Sequence, residues 1–497
     1  MTRFAHSPCL GRALLSIALV ASLTACGTAP IGPDHVVPDT AAVRQPGASA
    51  PFTSATPLFS SAPLPPQWWR LYQDPVLDRL IAQALAHNTD LRQAAANLER
   101  VRAVEAEVDG SRWPTVGVSG GPSYGHQSGL QVLRPGTEPV NHHNYSVGAS
   151  LSYQLDVVGQ IRRAIESAQA GSDAAQAGLD VARVNVVAST ARAYAGICAG
   201  GLRLQAAEQS VHLQQEALDV SQRLQSAGRV GLIDTARAQS QLQQLQAALP
   251  SLRAERQSGL FRLATLMGQL PADFPKDVAN CVMPPRVQAV LPVGDGAALL
   301  RRRPDIRQAE RELAASNARI GVAMADLYPK ITLGLSALSA GTSSDFGHQD
   351  TVSWSMGPLI SWTLPNTGVV QAHIAQAEAS TKAALAKFDG TVLAALRETE
   401  TALDGYAREL DRQASLQAAR DSAATVAAQA RRLYQGGKTA YLDALDAERS
   451  LASSEAALAS SQAQLADDQV VLFLALGGGW EGGEVVAPAG IEPASAP

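Results

Sequence analysis

The sequence predicts a mainly α-helical protein with a few membrane β-strands, built from two copies of one structural plan. Three observations lead to this fold class. The 497-residue chain is rich in alanine and contains only 17% charged and 5% aromatic residues. Its two halves match each other at a nearly constant spacing. Each half has alternating apolar residues, typical of strands, followed by a long stretch suited to a helix.

The composition also excludes several classes of protein. A formal net charge of -5 gives no electrostatic reason to expect a nucleic-acid partner. The mean hydropathy of -0.02 is too polar for a polytopic helical membrane protein. Four cysteines are too few for a disulfide scaffold or an array of zinc clusters.

Residues 1–25 are predicted to form a lipoprotein signal peptide. Arg3 and Arg12 make its start basic, and the apolar stretch Ala13–Val20 is too short to span a membrane. Small residues then precede Cys26, which we expect to carry a diacylglycerol and an N-acyl chain. No other cofactor is expected. An ordinary secretory signal with an incidental cysteine is the alternative.

The segment after the signal is predicted to be an acylated N-terminal tether, residues 26–66. It is rich in Pro, Ala, Ser and Thr, which favour an extended linker. Gly27, which follows the cysteine, is typical of lipoproteins sent to the outer membrane. We therefore expect a lipid-anchored outer-membrane protein.

Residues 67–280 and 281–480 are predicted to be two structural repeats, with 481–497 as a flexible C-terminal tail. The matched positions include Asp90–Ala94 with Asp305–Ala309, offset by 215 residues, and Gly228 with Gly437, offset by 209. Each repeat is expected to hold a helix, two strands and a long helical hairpin. In the first repeat these are a helix at 73–110, strands at 114–125 and 143–156, and a hairpin at 158–268. In the second they are a helix at 295–326, strands at 329–340 and 351–364, and a hairpin at 367–476.

The strands predict a barrel around water. Tyr145, Val147 and Leu151 share one face, and the opposite face carries Ser and Gly, as in membrane barrels. A soluble sandwich, the alternative, would need more than these four strands. Because lipid tolerates no open sheet edge, four strands must be completed by other chains. Three copies would give a twelve-stranded barrel.

The long helices predict a structure that crosses much of the periplasm. Gly159 to Gly228 and Gly368 to Gly437 each span 69 steps. At 1.5 Å per residue, each helix would be roughly 100 Å long. An ordinary two-stranded coiled coil is the alternative, although the strands before each helix argue against it.

Four segments, Arg302–Ile306, Ala318–Ala323, Tyr328–Pro329 and Ala475–Trp480, resemble signatures of the TolC-like outer-membrane efflux factors. Together with the lipoprotein signal, they resemble the OprM/NodT lipoprotein branch of that family. The resemblance extends in order over about 67–480. It implies a homotrimer, with a twelve-stranded barrel in the outer membrane and a long α-helical barrel that extends into the periplasm.

The resemblance also implies a function. Such a protein is a passive exit duct of a tripartite efflux pump and carries drugs or other toxic small molecules to the exterior. Its expected partners are a periplasmic adaptor, an inner-membrane pump of the RND or MFS type and outer-membrane lipid, but no nucleic acid. It is not expected to be an enzyme. A type I protein-secretion duct, a non-conducting coiled-coil scaffold and a lipid-anchored hydrolase are the alternatives.

By resemblance, the periplasmic tip forms the gate. Its turns are expected at Gly228, Gly436, Gly437 and Lys438, and its gate residues are expected to be Asp443, Asp446, Asp234 and Tyr434. Asp443 and Asp446 lie three apart on one helical face, so symmetry would make rings of carboxylates.

Also by resemblance, Asp234 pairs with Tyr434 to hold the tip shut. Ile233 stands where relatives often have a hydroxyl side chain. The sequence therefore does not establish a second hydrogen bond that would hold the tip closed. An acidic residue at a helix N-terminus is the simpler explanation of Asp234 and Asp443.

The topology of these relatives places Cys198 and Cys281 near an equatorial belt in the oxidising periplasm, and we expect them to form a disulfide.

Other motifs are set aside, and no catalytic or metal site is predicted. Gly117–Gly121 matches G-x-S-x-G but lies on an alternating strand, not at a strand-to-helix turn. Gly437–Thr439 resembles part of a phosphate loop, but Arg432 occupies the position of the earlier glycine. His126, His142 and His143 are more easily explained as solvated loop residues than as metal ligands.

Overall fold

The computed structural model describes residues 29–126, 136, 140–287, 289–362 and 367–480. The predicted signal peptide, the acylation site Cys26 and the predicted tail at 481–497 lie outside these residues. The chain divides into two compact units. The strand unit holds the described residues of Met1–Val36, Arg100–Asp173 and Arg311–Leu385, and the helical unit holds those of Val37–Glu99, Ala174–Glu310 and Ala386–Pro497.

The described residues form eight α-helices and six strands. The helices are α1 (Pro75–His87), α2 (Thr89–Gly110), α3 (Gln160–Ser226), α4 (Leu232–Leu266), α5 (Gly296–Arg302), α6 (Pro304–Ala325), α7 (Thr367–Gln435) and α8 (Tyr441–Ala475). The strands are β1 (Phe59–Ser60), β2 (Thr115–Gly125), β3 (His142–Leu155), β4 (Leu291–Pro292), β5 (Lys330–Thr342) and β6 (Val352–Ser361). No helix within the described ranges has both the length and the apolar run needed to cross a bilayer.

The sequence predicts one helix at 73–110 and one at 295–326, but the structure breaks each of them. Asn88 is extended, with φ -60° and ψ 136°, and its side-chain oxygen accepts from the Asp90 N–H at 2.8 Å. It therefore caps the start of α2. Arg303 is extended because it precedes Pro304, whose ring disfavours a helical conformation in the residue before it.

In the strand unit, β2, β3, β5 and β6 form one antiparallel sheet in that order. The register aligns an apolar row across all four strands: Val116, Leu151, Leu335 and Met356. Val116 and Met356 are 70% and 78% exposed. An apolar row whose ends on β2 and β6 are so exposed is unusual for a water-facing sheet and is expected of one that faces lipid.

The neighbouring register row has the opposite character. It consists of Gly117, Ser150, Ser336 and Ser355, so it falls on the other face of the sheet. The hydroxyls of Ser336 and Ser355 lie 2.8 Å apart, within hydrogen-bonding distance. One face of the sheet is therefore apolar and the other is small and polar.

In the helical unit, the aromatic core joins residues from distant parts of the chain. Trp68 is fully buried and stacks on Phe473, with ring centroids 4.8 Å apart. The Trp68 indole N–H also donates to the Gly478 carbonyl at 3.2 Å. A Cβ on Gly478 would lie only 2.6 Å from the Leu64 side chain, so a larger residue does not fit there without rearrangement.

Two of the signature segments meet in this core. Arg303 donates to the Ala475 carbonyl at 3.1 Å, and the Trp480 indole N–H donates to the Arg302 carbonyl at 3.0 Å. The Arg307 guanidinium lies 4.7 Å from the centroid of the Trp480 ring. The Arg302–Ile306 and Ala475–Trp480 signatures are thus two sides of one contact.

The described part of the predicted tether is more ordered than its composition suggests. From Val37 onward it packs into the helical unit, where Phe52 and Leu64 are buried. The Ala42 N–H donates to Asp389 at 2.8 Å, and β1 runs parallel to β4. The segment is ordered although it is rich in Pro and Ser, because its few apolar side chains pack into the core of the helical unit.

Candidate functional site

The two long hairpins end in the same kind of turn, and both turns belong to the helical unit. Gly228 and Gly437 adopt left-handed backbone conformations, with φ of 70° and 67°. The Arg229 N–H donates to the Leu224 carbonyl at 2.9 Å, and the Lys438 N–H donates to the Leu433 carbonyl at 2.8 Å. These bonds are those of a Schellman motif, which glycine forms without strain. Gly436 lies just before this turn and has no positive φ.

Beside the turns, the α3–α4 hairpin packs against the α7–α8 hairpin through one apolar cluster, which we call the tip cluster. Its buried residues are Leu218, Ala238, Leu242, Tyr434, Tyr441, Ala444 and Leu445. Tyr434 and Tyr441 face each other with ring centroids 5.2 Å apart. The two hairpins also share a polar contact, because Arg449 Nε donates to Gln241 Oε1 at 2.8 Å.

The structure shows no hydrogen bond between the predicted gate residues Asp234 and Tyr434, although the charge of Asp234 acts on Tyr434. Tyr434 is 6% exposed, and its hydroxyl has no hydrogen-bond partner within the described part of the chain. Burial raises the pKa of Tyr434, the charge of Asp234 raises it further, and the nearby Ser221 hydroxyl opposes both. Asp234 itself lies 3.7 Å from an Arg237 nitrogen one turn along α4.

The other two predicted gate carboxylates lie at the start of α8. Asp443 is in the first turn of the helix and accepts a hydrogen bond from the Thr439 hydroxyl. A negative charge in this position also stabilises the helix dipole. Asp446 has a side chain that is 64% exposed, and its carboxylate lies 3.9 Å from Arg449. The simpler explanation therefore fits Asp443, whereas Asp446 presents a largely solvated charge.

Sequence reasoning missed an ionic contact in the α7–α8 hairpin. The Glu448 side chain is only 10% exposed, and its Oε1 accepts from Arg431 Nε at 3.0 Å. Its Oε2 has no hydrogen-bond partner among the described residues. Burial raises the pKa of Glu448, and Arg431 opposes that shift. The available signal was the spacing of Tyr441 and Glu448, seven residues apart on one helical face.

Elsewhere in the helical unit, Cys198 and Cys281 form a disulfide, with Cα atoms 4.7 Å apart. The bond ties α3 to the segment between α4 and β4. Gly201 permits this close approach, since a Cβ there would lie 2.1 Å from the Cys281 carbonyl oxygen. Arg256 donates to the carbonyls of Ala279 and Cys281 and so holds the same segment.

The motifs set aside remain without a catalytic arrangement. Gly117–Gly121 lies inside β2, and Gly437–Thr439 lies between two helices with no preceding strand. His143 packs its ring against Tyr124, with centroids 4.7 Å apart. Across the described ranges, no group of His, Cys, Asp or Glu side chains is arranged to hold a metal ion.

Comparison with known proteins gives consistent matches along both repeats. The family model described as outer membrane efflux protein matches residues 80–269 and 297–478. Nodulation protein T of Rhizobium leguminosarum bv. trifolii is 31% identical over 425 residues, which cover 85% of this chain and 89% of that protein. The solvent efflux pump outer membrane protein SrpC of Pseudomonas putida is 30% identical over 421 residues, covering 84% and 88%.

Among solved structures, the outer-membrane channel OprN matches with a TM-score of 0.83 and 36% sequence identity. The match covers 90% of this chain and 99% of OprN. These findings confirm the resemblance drawn from the four signature segments, and they confirm the predicted fold class of long helices with membrane strands.

Proposed function

Because the chain belongs to the outer membrane efflux protein family, we propose that it carries drugs or other toxic small molecules from a pump and its adaptor to the cell exterior. The protein is an outer-membrane channel, the exit component of a tripartite efflux system. Members of the family are transport channels rather than enzymes. The family match over both repeats is the observation that carries the proposal. The Pseudomonas relative is named as part of a solvent efflux pump, which supports small molecules as the transported class.

The channel is proposed to be a homotrimer. Within the described sheet, β2 and β6 are edge strands, each paired on one side only. An open edge is not tolerated in lipid, and the exposed apolar row marks the face that would meet lipid. Three sheets joined edge to edge would make about twelve strands, within the range of membrane barrels.

Native mass spectrometry of the detergent-extracted, full-length protein tests this assembly. A trimer whose Cys26 carries three acyl chains is the expected result. A stable lipidated monomer would contradict the shared barrel and would favour a coiled-coil scaffold. Acylation itself is read separately, from the mass of the N-terminal peptide.

Gating is proposed to be passive. An adaptor would draw the α7–α8 hairpin away from the α3–α4 hairpin and so open the tip cluster. Tyr434 would then leave its buried position near Asp234. In the trimer, the carboxylates of Asp443 and Asp446 would form rings that attract cations and narrow the closed pore.

The pump partner is proposed to be of the RND or MFS type, linked through a periplasmic adaptor. A deletion strain tests the transported class directly. Increased sensitivity to drugs and solvents, with an unchanged secreted protein profile, is expected. The opposite pattern would indicate type I protein secretion. Purified trimers that pass no current across a planar bilayer would instead indicate a non-conducting scaffold.

A further inference from the structure

A buried arginine in the strand unit binds the N-terminal segment. Arg163 lies in the first turn of α3, and its side chain is 3% exposed. Its Nε donates to the Ile31 carbonyl at 3.1 Å, and its Nη2 donates to the Gly32 carbonyl at 3.1 Å and the Pro30 carbonyl at 3.5 Å. The guanidinium thus contacts three consecutive residues of a segment that has no regular structure.

Carboxylates balance the charge of this guanidinium. Arg163 Nη1 donates to Glu166 at 2.7 Å, and Nη2 donates to Asp34 at 2.7 Å. Glu166 lies on α3, whereas Asp34 belongs to the bound segment. The planar, five-donor fork of arginine suits this set of oxygen atoms, and a lysine could not bind all of them.

The backbone of the segment is satisfied on both sides. Asn317 of α6 donates its side-chain amide to the Pro33 carbonyl at 2.9 Å, and the Ile31 N–H donates to the Val158 carbonyl at 2.9 Å. Four consecutive carbonyls, from Pro30 to Pro33, therefore accept hydrogen bonds from side chains. Because these contacts satisfy its backbone, the segment is held in one conformation without being part of a helix or sheet.

Three glycines allow the segment to lie directly on the helices. A Cβ on Gly159 would lie 2.6 Å from the Pro30 Cα, and one on Gly32 would lie 2.6 Å from the Gly321 Cα. A Cβ on Gly321 would lie 2.6 Å from the Ile31 carbonyl oxygen. Gly321 is the glycine of the Ala318–Ala323 signature, so this contact gives that signature a structural role. We call Arg163, Asn317 and the three glycines the anchor clamp.

We propose that the anchor clamp positions the lipid anchor, with Arg163 as its central positioning residue. The inference rests on the proposed acylation of Cys26. Pro30 is four residues beyond Cys26, so at about 3.6 Å per residue the acylated cysteine can lie no more than about 14 Å from it. Pro30 in turn contacts Gly159, which follows the end of β3 closely. In this proposal the acyl chains enter the membrane within that reach of this end of the sheet.

Double electron–electron resonance, which measures distances between spin labels, tests the proposal on the acylated, full-length trimer. Spin labels are placed at Ala29→Cys and at Arg112→Cys, an exposed position three residues before β2 begins. In the otherwise native protein, the shortest distance between labels at positions 29 and 112 is expected to have a single, narrow distribution. Arg163→Met, which keeps the chain length but removes the donors, is expected to at least double the width of the distribution. Arg163→Lys is expected to give a distribution of intermediate width, narrower than that of Arg163→Met but wider than that of the protein with Arg163.

Arg162→Met is the matched control. Arg162 is adjacent on α3 and pairs with Asp156 at 3.1 Å, so its loss is expected to leave the distance unchanged. Hydrogen exchange at Ile31, whose N–H is bonded to Val158, gives a second measurement. We expect about a hundredfold faster exchange in Arg163→Met and no change in the control. An unchanged distance and exchange rate in an intact Arg163→Met trimer would overturn the proposal.

Two further measurements separate this proposal from the proposed function. The mass of the N-terminal peptide reports acylation, and an unmodified Cys26 would overturn the anchor role. Bilayer conductance reports the channel. In the doubly labelled protein that keeps Arg163, normal conductance and trimer mass together with a broad distance distribution for the label at position 29 would overturn the clamp alone.

Discussion

Tyr434 and Tyr441 face each other across the turn of the α7–α8 hairpin, with ring centroids 5.2 Å apart. Tyr434 is the last but one residue of α7, and Tyr441 is the first residue of α8. Both rings are buried against Leu218, Ala238 and Leu242 of the other hairpin. The contact between the two hairpins at the tip is therefore mainly aromatic and apolar.

Ring packing, rather than the Tyr434 hydroxyl, is expected to hold the tip closed. Tyr434→Phe removes a hydroxyl that has no hydrogen-bond partner in the described chain, so we expect wild-type conductance within about twofold, a free-energy difference of ~0.4 kcal/mol. Tyr434→Ala leaves a cavity in the tip cluster, which should lower its stability by about 3–5 kcal/mol. We therefore expect a larger leak current. Single-channel recording compares the two. A leak in Tyr434→Phe would show that the hydroxyl, and not the ring alone, holds the tip closed.

The carboxylates at the start of α8 are expected to control cation passage. Replacing Asp443 and Asp446 together by Ala should raise leak conductance and weaken block by divalent cations, because the two proposed rings of charge would be lost. Recording with and without Mg²⁺ measures both effects. Asp404→Ala, which removes an exposed carboxylate elsewhere on α7, is the control. If the double variant conducts and is blocked like the wild type, these residues do not form the constriction.

Glu448 is expected to make stability depend on pH. Burial raises its folded-state pKa above the ordinary value of 4.5, so the folded protein retains a proton that the unfolded chain releases. Stability should therefore rise as the pH falls through the window between these two pKa values. Glu448→Gln should remove this part of the dependence. Melting temperatures of both proteins, measured from pH 7 to 4.5, make the comparison, and parallel curves would contradict it.

The Cys198–Cys281 disulfide is expected to stabilise the helical unit. It closes a loop of 83 residues, so its loss should cost about 2–5 kcal/mol. Cys281→Ser is the suitable variant, since it leaves the fully buried Cys198 in place. Denaturant titration measures the loss, and a thiol count before and after reduction checks the bond. No change in thiol count on reduction of the wild type would rule the disulfide out.

The tip turn is expected to tolerate alanine at one glycine but not at its neighbour. Gly437 has φ of 67°, which costs an L-residue about 1–2 kcal/mol. Gly436 has no positive φ, and a Cβ there would meet its nearest neighbour, the Arg432 carbonyl oxygen, at 3.4 Å. Gly437→Ala should therefore lower the melting temperature more than Gly436→Ala. Equal losses would contradict the left-handed turn.

Much of this fold could be predicted because the chain repeats itself. The offset of 209 residues relates Gly228 to Gly437, and the structure places the same left-handed turn at both. The helix break at Asn88 was missed because apolar periodicity continues across it, and only the capping contact of its side chain reveals it. The break at Arg303 had a signal in Pro304, because a proline disfavours a helical conformation in the residue before it.

Contacts that depend on helix packing were not predictable in the same way. Arg431 and Glu448 are 17 residues apart, and their pairing depends on how α7 packs against α8. The segment bound by Arg163 is 129 residues or more from it in sequence. Proline and glycine in that segment suggested a linker, although the same residues permit the close backbone contact seen here.

The hydrogen bond from Trp68 to Gly478 joins residues 410 positions apart. A chain exported from its N-terminus delivers Trp68 early and Gly478 near the end. The aromatic core therefore cannot close around Trp68 until almost the whole chain has been exported. Such late, long-range closure slows folding and leaves apolar surface open to aggregation. We therefore expect such a chain to need protection from aggregation during export, and we expect chains truncated before Gly478 to be degraded more readily.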